Sequence, residues 1–201
     1  LSKNKGDSDD WETPDNVAAI MAAVVKESLC CLEDEAIILE PGAGTGQITR
    51  QLHHCLPCAH VYACEINPHR ERLGSDRAPG AFWSCDDFLA LEAAMIEPHV
   101  IACNPPFSRG VEFLAKSKEL LSLNPAGRCV YLLPSDYFQS KRRAAQMQRL
   151  GGRIVRQIQI VGRVAFLKNG VPENRRQCYD SIFVISFDPS TEASIELVSP
   201  Q

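Results

Sequence analysis

The feature that most constrains the fold is an apolar run at 36–40 that passes directly into a glycine-rich turn, Gly42-Ala43-Gly44-Thr45-Gly46. Glycine adopts backbone conformations that other residues avoid, and it lets a ligand approach the chain more closely than any Cβ would permit. A helical pattern follows the turn. The segment therefore predicts a strand, a sharp turn beside a ligand and a helix, which together form one unit of an open α/β sheet.

Short apolar runs alternate with helical stretches along the rest of the chain, which is typical of a parallel sheet covered by helices on both faces. We predict seven strands, at 36–40, 61–65, 81–84, 99–103, 129–133, 154–161 and 180–187. Helices are predicted from Pro14 onward and at 46–55, 68–73, 88–95, 109–122 and 140–150. No helical pattern separates the last two strands, so they should pair as an antiparallel hairpin that completes a mixed, seven-stranded, Rossmann-like α/β sheet.

A chain of 201 residues is long enough for one core of ordinary size, so we expect a single domain. Residues 1–10 are polar and should be disordered, the domain should span 11–190, and a tail should follow at 191–201. Thr13 is predicted as the N-cap of the first helix, with Pro14 at its first position. No apolar run approaches the roughly 20 residues that cross a bilayer and no secretory leader is recognisable. We therefore expect a soluble cytoplasmic or nuclear protein with no membrane partner.

The cysteines favour reduced, buried thiols over disulfides, because several lie inside apolar strand-like runs. There are nine: Cys30, Cys31, Cys55, Cys58, Cys64, Cys85, Cys103, Cys129 and Cys178. The Cys55-x-x-Cys58 pair has histidines nearby but lacks the second ligand pair that a zinc site requires at a defined spacing. We expect no bound metal.

The net charge of −4 conceals a strong polarity along the chain. Between Gln139 and Cys178 there are ten Lys or Arg and one acid, a local charge of +9, whereas the remaining residues carry −13. A basic lobe on an acidic body suits a phosphate-backbone partner, although a solvated helix face with scattered arginines gives the same pattern. We expect a nucleic acid, contacted by Arg142, Arg143 and Arg149.

The glycine turn differs from the Gly-x-Gly-x-x-Gly of nicotinamide-binding folds, because it reads acid-x-Gly-x-Gly-x-Gly from Glu40. It resembles the first motif of class I S-adenosylmethionine-dependent methyltransferases. That resemblance extends over nearly the whole chain from Trp11 to Phe187. It implies S-adenosylmethionine as cofactor, with the wall around its methionine end formed by Glu40, Gly42, Ala43, Gly44 and Gly46.

Two further acidic positions resemble cofactor contacts of the same family. Glu65 lies 23 residues after Gly42, at the end of the second strand, where an acid can accept hydrogen bonds from both ribose hydroxyls, with Ile66 beside it. The run Asp86-Asp87-Phe88 is similar to the family's Asp-Phe element beside the adenine. Asp87, or alternatively Asp86, would accept from the adenine amino group and Phe88 would pack near the ring, although either acid could instead cap the next helix.

The fourth predicted strand ends in Asn104-Pro105-Pro106-Phe107. Methyltransferases with a similar loop act on a planar amino nitrogen, whose delocalised lone pair is poorly nucleophilic. The Asn104 side-chain oxygen and the Pro105 carbonyl would accept the two amino hydrogens and direct the lone pair toward the methyl group, with Asn104 also bordering the cofactor. Pro105 and Pro106 stiffen the loop, and Phe107 would stack on a flat base.

That loop fixes the acceptor atom type and not the substrate. Thr13-Pro14 resembles the element with which many adenine N6 methyltransferases begin, where it closes over the methionine end of the cofactor. The segment after the fifth strand is also similar to that family, so Arg163 and Phe166 either line the target groove or are hairpin residues. We therefore predict methyl transfer to adenine N6 of DNA or RNA.

Three alternatives stay open: a guanine N2 methyltransferase of ribosomal RNA, a protein glutamine N5 methyltransferase, and a Rossmann-like subunit that binds without catalysis. The chain length leaves no room for a separate target-recognition domain. The shape of the substrate or a protein partner would then supply specificity.

Overall fold

The computed structural model describes residues 11–29, 35–173 and 178–195. Within these ranges the helices are α1 (Asp15–Ser28), α2 (Gln47–Cys55), α3 (Pro68–Arg77), α4 (Gly110–Leu120) and α5 (Lys141–Leu150). The strands are β1 (Ile37–Pro41), β2 (His60–Cys64), β3 (Phe82–Ser84), β4 (Val100–Cys103), β5 (Arg128–Pro134), β6 (Arg153–Gln159), β7 (Leu167–Lys168), β8 (Val171–Pro172) and β9 (Asp180–Ser186).

Seven of these strands form one mixed sheet in the order β3-β2-β1-β4-β5-β9-β6. Strands β1 to β5 run parallel to one another, whereas β9 is antiparallel to both β5 and β6, with Tyr131 and Gln157 opposite Phe183. The predicted fold class and the antiparallel pairing of the last two predicted strands are confirmed. The connection between β6 and β9 carries a further short hairpin, β7 with β8, whose two strands were not among those predicted.

Helices cover both faces of the sheet. On one face α1 and α2 pack over β4 residues Val100 and Ala102, and on the other α4 and α5 pack over Ile101 and Cys103. Successive side chains of a strand point to opposite faces, so a strand buried on both faces reads as a continuous apolar run. This is why the central strands were visible in the sequence.

The carboxyl ends of the parallel strands meet at one edge of the sheet. Gly42, Glu65, Asn104 and Ser135 are the first residues after β1, β2, β4 and β5. In open α/β sheets, ligands bind in the crevice outside this edge. The residues predicted as a cofactor site and an acceptor loop are therefore brought to the same place.

Residues 88–95 do not form the single helix that was predicted. They form two short 3₁₀ turns, Phe88–Ala90 and Ala93–Met95, separated by extended backbone at Leu91 and Glu92. Phe88 is buried, with its ring centroid 5.0 Å from that of Phe113 in α4. A stretch this short gains little from helix propagation, so burial of its apolar side chains against α4 decides its conformation.

Thr13 is not the N-cap of α1, contrary to prediction. Pro14 occupies that position, and its carbonyl accepts the amides of Val17 and Ala18 at 3.0 and 2.9 Å. Proline fits here because it lacks the amide hydrogen that a helix interior would require. The Thr13 side chain is buried and makes its contact elsewhere, as described below.

Ordered contacts continue past residue 190, where the tail was predicted to begin. The amide of Ser194 donates to the carbonyl of Ile154 at 2.9 Å, and Ile195 forms an antiparallel bridge to the same residue. Residues 1–10, which were predicted to be disordered, and 196–201 lie outside the described ranges.

Among the described cysteines, those inside strands of the sheet are buried, and those outside the strands are more exposed. Cys64, Cys103 and Cys129 are buried as expected, whereas Cys58 and Cys85 are exposed. Cys30 and Cys31 lie outside the described residues. In the described part of the chain no three His, Cys, Asp or Glu side chains are grouped as a metal ion would require. None of the described helices combines the length and the apolar composition needed to cross a bilayer.

Candidate functional site

The turn between β1 and α2 presents bare backbone to the carboxyl edge of the sheet. Gly42, Gly44 and Gly46 have φ values of +64°, +60° and +81°, a region that L side chains rarely adopt. A Cβ built on Gly46 would lie 3.1 Å from the Cα and the carbonyl oxygen of Gly74, and one on Gly44 would meet the guanidinium of Arg70. The turn therefore requires glycine and leaves a cradle that a Cβ would fill, which fits a ligand that approaches the backbone closely.

Glu65 ties this turn to the end of β2. Its carboxylate accepts the amide of Gly44 at 2.8 Å through one oxygen and the amide of Asn67 at 2.9 Å through the other. Each carboxylate oxygen has a second lone pair, so both retain the capacity to accept from a ligand hydroxyl. The acid thus lies where two adjacent hydroxyl groups can be bound beside the glycine turn.

Glu40 lies near the end of β1 and is only 2% exposed. Its carboxylate accepts a short hydrogen bond from the hydroxyl of Thr49 in α2. The pKa of Glu40 is raised to about 8, mainly by burial and to a smaller extent by the nearby Glu65, against the lowering effect of the Thr49 bonds. At neutral pH the carboxyl is therefore mainly protonated, and a cation placed beside it would favour ionisation.

Asn104 is hydrogen-bonded to the segment that precedes α1. Its side-chain nitrogen Nδ2 donates to the hydroxyl oxygen of Thr13 at 3.0 Å. The oxygen Oδ1 diverges from Nδ2 at the amide carbon, so it is directed away from Thr13 and can accept from another group. Pro105, the next residue, is buried, whereas Pro106 and Phe107 are half-buried.

The segment before α1 forms one wall of the cleft. Glu12 pairs antiparallel with Leu167 of β7 through backbone hydrogen bonds of 2.8 and 2.9 Å. The carboxylate of Glu12 also accepts from Nε2 of Gln47 in the first turn of α2, at 2.9 Å. Three elements that are far apart in the sequence are thereby joined across the edge of the sheet.

Phe107 is fixed from two sides. The hydroxyl of Tyr137 donates to its carbonyl oxygen at 3.2 Å, and the ring of Phe166 meets the Phe107 ring edge-on with centroids 6.3 Å apart. The guanidinium carbon of Arg143 lies 4.0 Å from the centroid of the Tyr137 ring. Contacts therefore run from the first turn of α5 to the loop after β4.

A cleft opens between the glycine turn and this wall. Its lining includes Trp11, Thr13, Glu40, Gly42, Gly44, Gln47, Arg70 and Asn104. The predicted residues at the methionine end of the cofactor, Thr13, Glu40, Gly42, Ala43 and Gly44, thus share one cleft with the predicted acceptor residue Asn104. Its walls come from β1, the start of α2, the loop after β4, the segment before α1 and the first turn of α3.

Comparison with known proteins identifies the fold. No family model and no curated protein matches the chain. A TehB-like S-adenosylmethionine-dependent methyltransferase from Corynebacterium glutamicum aligns over 85% of this chain and 92% of its own, with a TM-score of 0.59 and 16% identity. Precorrin-6y C5,15-methyltransferase from Geobacter metallireducens aligns over 89% and 93%, with a TM-score of 0.56 and 14% identity.

Magnesium protoporphyrin IX methyltransferase from Synechocystis, whose structure contains S-adenosylmethionine, aligns over 86% of this chain and 76% of its own, with a TM-score of 0.57 and 15% identity. The chain has a Rossmann-like methyltransferase fold. At these identities the similarity concerns the fold alone.

Within the methyltransferase fold, the predicted adenine-side residues lie beyond Glu65. Ile66 is 63% exposed. The Asp87 carboxylate accepts a hydrogen bond from the amide of Leu89 at 3.0 Å, so Asp87 caps the short helical turn that follows, which was the alternative role considered for it. The backbone carbonyl of Asp86 accepts a hydrogen bond from the thiol of Cys64. Phe88 packs in the core against α4, so its ring is not presented at the surface.

The basic residues separate into two groups. Arg142 and Arg143 lie in the first turn of α5, just after the carboxyl end of β5, and Arg163 follows the carboxyl end of β6. Arg149 ends α5 at the opposite edge of the sheet, next to the start of β6. Phe166 is 1% exposed and lies behind Phe107, so it does not line a surface groove.

Three residues of this site had not been singled out from the sequence: Arg70, Tyr137 and Gln47. Arg70 carried a weak signal, since the first turn of a helix that follows a strand lies beside the carboxyl edge. Gln47 follows the glycine motif directly and had the same kind of signal. Nothing local marked Tyr137, whose contact with Phe107 spans 30 residues.

Proposed function

We propose that this chain is an S-adenosylmethionine-dependent methyltransferase that acts on an exocyclic amino nitrogen, most favourably adenine N6 of DNA or RNA. The observation that carries the proposal is the hydrogen bond from Asn104 Nδ2 to Thr13, which turns the Asn104 carbonyl oxygen away from Thr13 beside a glycine cradle. An acceptor oxygen held in this way suits a substrate that offers N–H groups.

The residues around the glycine turn fit the cofactor. The cradle at Gly44 admits a ligand to the backbone, Glu65 can accept from two ribose hydroxyls, and Glu40 offers a buried carboxyl to a cation. When bound, S-adenosylmethionine supplies a methyl group activated by a sulfonium. Glu40 would then ionise, because a neighbouring positive charge lowers the pKa of a carboxyl.

Asn104 and Pro105 would orient the acceptor nitrogen. In our proposal Asn104 Oδ1 and the Pro105 carbonyl each accept one amino hydrogen, which directs the nitrogen lone pair into the cleft. Phe107, braced by Tyr137 and Phe166, would support a flat base that has been turned out of its stack. Proton loss can follow transfer, so no dedicated general base is needed.

The charge distribution supports a nucleic acid substrate. Arg142, Arg143 and Arg163 lie at the same edge of the sheet as Asn104, where they could contact the phosphates that flank an extruded base. A small-molecule substrate would have no row of phosphates for these three arginines to contact. In this proposal target specificity comes from the shape of the substrate or from a protein partner.

A single experiment separates the candidate substrates. The protein is incubated with methyl-labelled S-adenosylmethionine and separate pools of DNA, RNA and protein, and each pool is then digested to nucleosides or amino acids. We expect the label in N6-methyladenine. Label in guanine N2 or in glutamine would replace the adenine assignment, label on oxygen or carbon would contradict the amine chemistry, and an absence of cofactor binding in calorimetry would favour a non-catalytic subunit.

A further inference from the structure

We propose that Arg70 is the residue that binds the carboxylate of the cofactor's amino-acid moiety and thereby selects for ligands that carry it. The inference rests on the proposed function, because it concerns the same cleft. Arg70 lies in the first turn of α3, where its backbone amide is held by the Asn67 side chain at 3.3 Å. Its position is thus fixed by the end of β2 and not by a flexible loop.

The side chain of Arg70 reaches from α3 across the glycine turn. A Cβ built on Gly44 would lie 2.8 Å from Nη2, 3.6 Å from Cζ and 3.8 Å from Nε of Arg70. The guanidinium therefore lies directly over the bare backbone of the cradle. It also lines the same cleft as Thr13 and Asn104, which border the methionine end of the proposed ligand.

Several acidic residues lie in or beside the cleft, so a ligand carboxylate needs a positively charged side chain near it in order to bind there. Glu12 and Glu40 line it, and the Glu65 carboxylate accepts the amide of Gly44, which also lines it. A ligand carboxylate that enters beside these acids is repelled and loses hydration unless a positive group pairs with it. Among the described residues that line the cleft, Arg70 is the sole lysine or arginine.

Arginine suits this role better than lysine. Burial lowers the pKa of Arg70, which means that its guanidinium is already partly stripped of water, yet an arginine remains charged in proteins. The planar group can form two parallel hydrogen bonds to a carboxylate. Because the guanidinium covers Gly44, it must turn aside as the ligand enters, and a carboxylate gives it a new partner.

The test compares two ligands that differ by the amino-acid moiety. S-adenosylhomocysteine carries it, and 5′-methylthioadenosine has the same nucleoside and sulfur without it. Calorimetry is done with the wild-type protein, Arg70→Ala, Arg70→Lys and the control Arg72→Ala, which changes an exposed arginine on the same helix. Circular dichroism checks that each variant is folded.

Arg70→Ala should weaken S-adenosylhomocysteine binding by about 10- to 100-fold, the loss typical of a charged hydrogen-bond pair, and leave 5′-methylthioadenosine unchanged. Arg70→Lys should fall between wild type and Arg70→Ala, and Arg72→Ala should match wild type. Equal weakening of both ligands by Arg70→Ala would overturn the inference, because Arg70 would then only shape the cleft. If the wild type binds neither ligand, the proposed function itself fails.

Discussion

Asn104 can accept a hydrogen bond from a substrate amine only if its side-chain oxygen faces that amine. If the amide were flipped, its NH₂ group would face the N–H groups of the substrate, and no hydrogen bond could form. In the observed arrangement Thr13 lies on the Nδ2 side of this amide, with its hydroxyl oxygen 3.0 Å from Asn104 Nδ2. A threonine that the sequence suggested as a helix cap is thus used to hold the acceptor. The role of Thr13 is one of positioning, because in this account it touches Asn104 and not the amine.

The first prediction follows from this contact. Thr13→Val keeps the shape of the side chain and removes its hydroxyl, so Asn104 loses its partner. We expect kcat for methyl transfer to fall about tenfold, the cost of one lost hydrogen bond, with the cofactor dissociation constant little changed. Thr13→Ser retains the hydroxyl and should stay close to wild type. A wild-type kcat in Thr13→Val together with a reduced kcat in Thr13→Ser would show that the methyl group matters and the hydroxyl does not.

Glu40 gives a second prediction, on stability against pH. Its pKa is about 8 in the folded protein and 4.5 when unperturbed, so the folded state binds the proton more tightly. Stability from this group is therefore complete below pH 4.5 and is lost as the pH rises through 8. Glu40→Gln removes this dependence.

The check is urea unfolding of wild type and Glu40→Gln across pH 5 to 9. The free energy of unfolding of the wild type, relative to the variant, should decline with rising pH and level off near pH 9. A constant difference would mean that Glu40 is ionised in the folded protein at neutral pH.

At the scale of elements, the β1–α2 turn serves packing as well as the ligand. The Cβ position of Gly46 is filled by Gly74 of α3 and by the ring of Trp83 in β3, 3.2 Å away. The third glycine of the motif is therefore needed for the approach of α2 to α3. Gly44, by contrast, faces the movable end of Arg70.

This difference predicts unequal costs for two glycine substitutions. Gly151 ends α5 with φ +69° and has open space at its Cβ position, so Gly151→Ala should cost only the left-handed strain, ~1 kcal/mol. Gly46→Ala has the same strain and must also displace the Gly74 backbone, which should cost a further ~1–3 kcal/mol in urea unfolding. Equal destabilisation of the two variants would mean that the α2–α3 contact adjusts freely.

The sequence predicted elements well where a local pattern determined them. All seven strands of the sheet were found within two residues of their ends, since runs such as 99–103 are buried on both faces. The stretch 88–95 failed because contacts with α4, and not local periodicity, decide its form. The β7–β8 hairpin was missed because each of its strands has only two residues, too few for an alternating pattern to be recognised.

The same distinction holds for the site. Glycine motifs and strand ends pointed to Gly44, Glu65 and Asn104, because each directly follows a recognisable strand. Arg70 and Tyr137 act through space, and no spacing along the chain encodes those contacts. The sequence left Phe166 as either a groove residue or a hairpin residue, and its burial against Phe107, just before β7, fits the second alternative.

At the scale of the whole molecule, the basic residues between Gln139 and Cys178 are not one surface. Chain direction places Arg142 and Arg163 at the carboxyl edge of the sheet, together with Asn104. Arg149 and Arg153 lie at the amino edge. Only the first pair is expected to touch a nucleic acid bound for methylation.

Two charge-matched double variants test this division. Arg142→Glu with Arg163→Glu should weaken binding to DNA or RNA and lower the slope of log affinity against log salt, by about 0.7–0.9 per lost phosphate contact. Arg149→Glu with Arg153→Glu changes the net charge equally and should leave the slope intact. If both pairs reduce the slope alike, net charge and not location controls binding.

The proposed amine chemistry depends above all on Asn104 serving mainly the acceptor, although it also borders the cofactor. Asn104→Ala, studied by single-turnover methyl transfer and by calorimetry with S-adenosylhomocysteine, separates the two roles. We predict that transfer falls by at least about 100-fold, as when one oriented hydrogen-bonding group is removed from an active site, while cofactor affinity stays within about threefold. Transfer that survives the substitution would contradict the proposed amine chemistry.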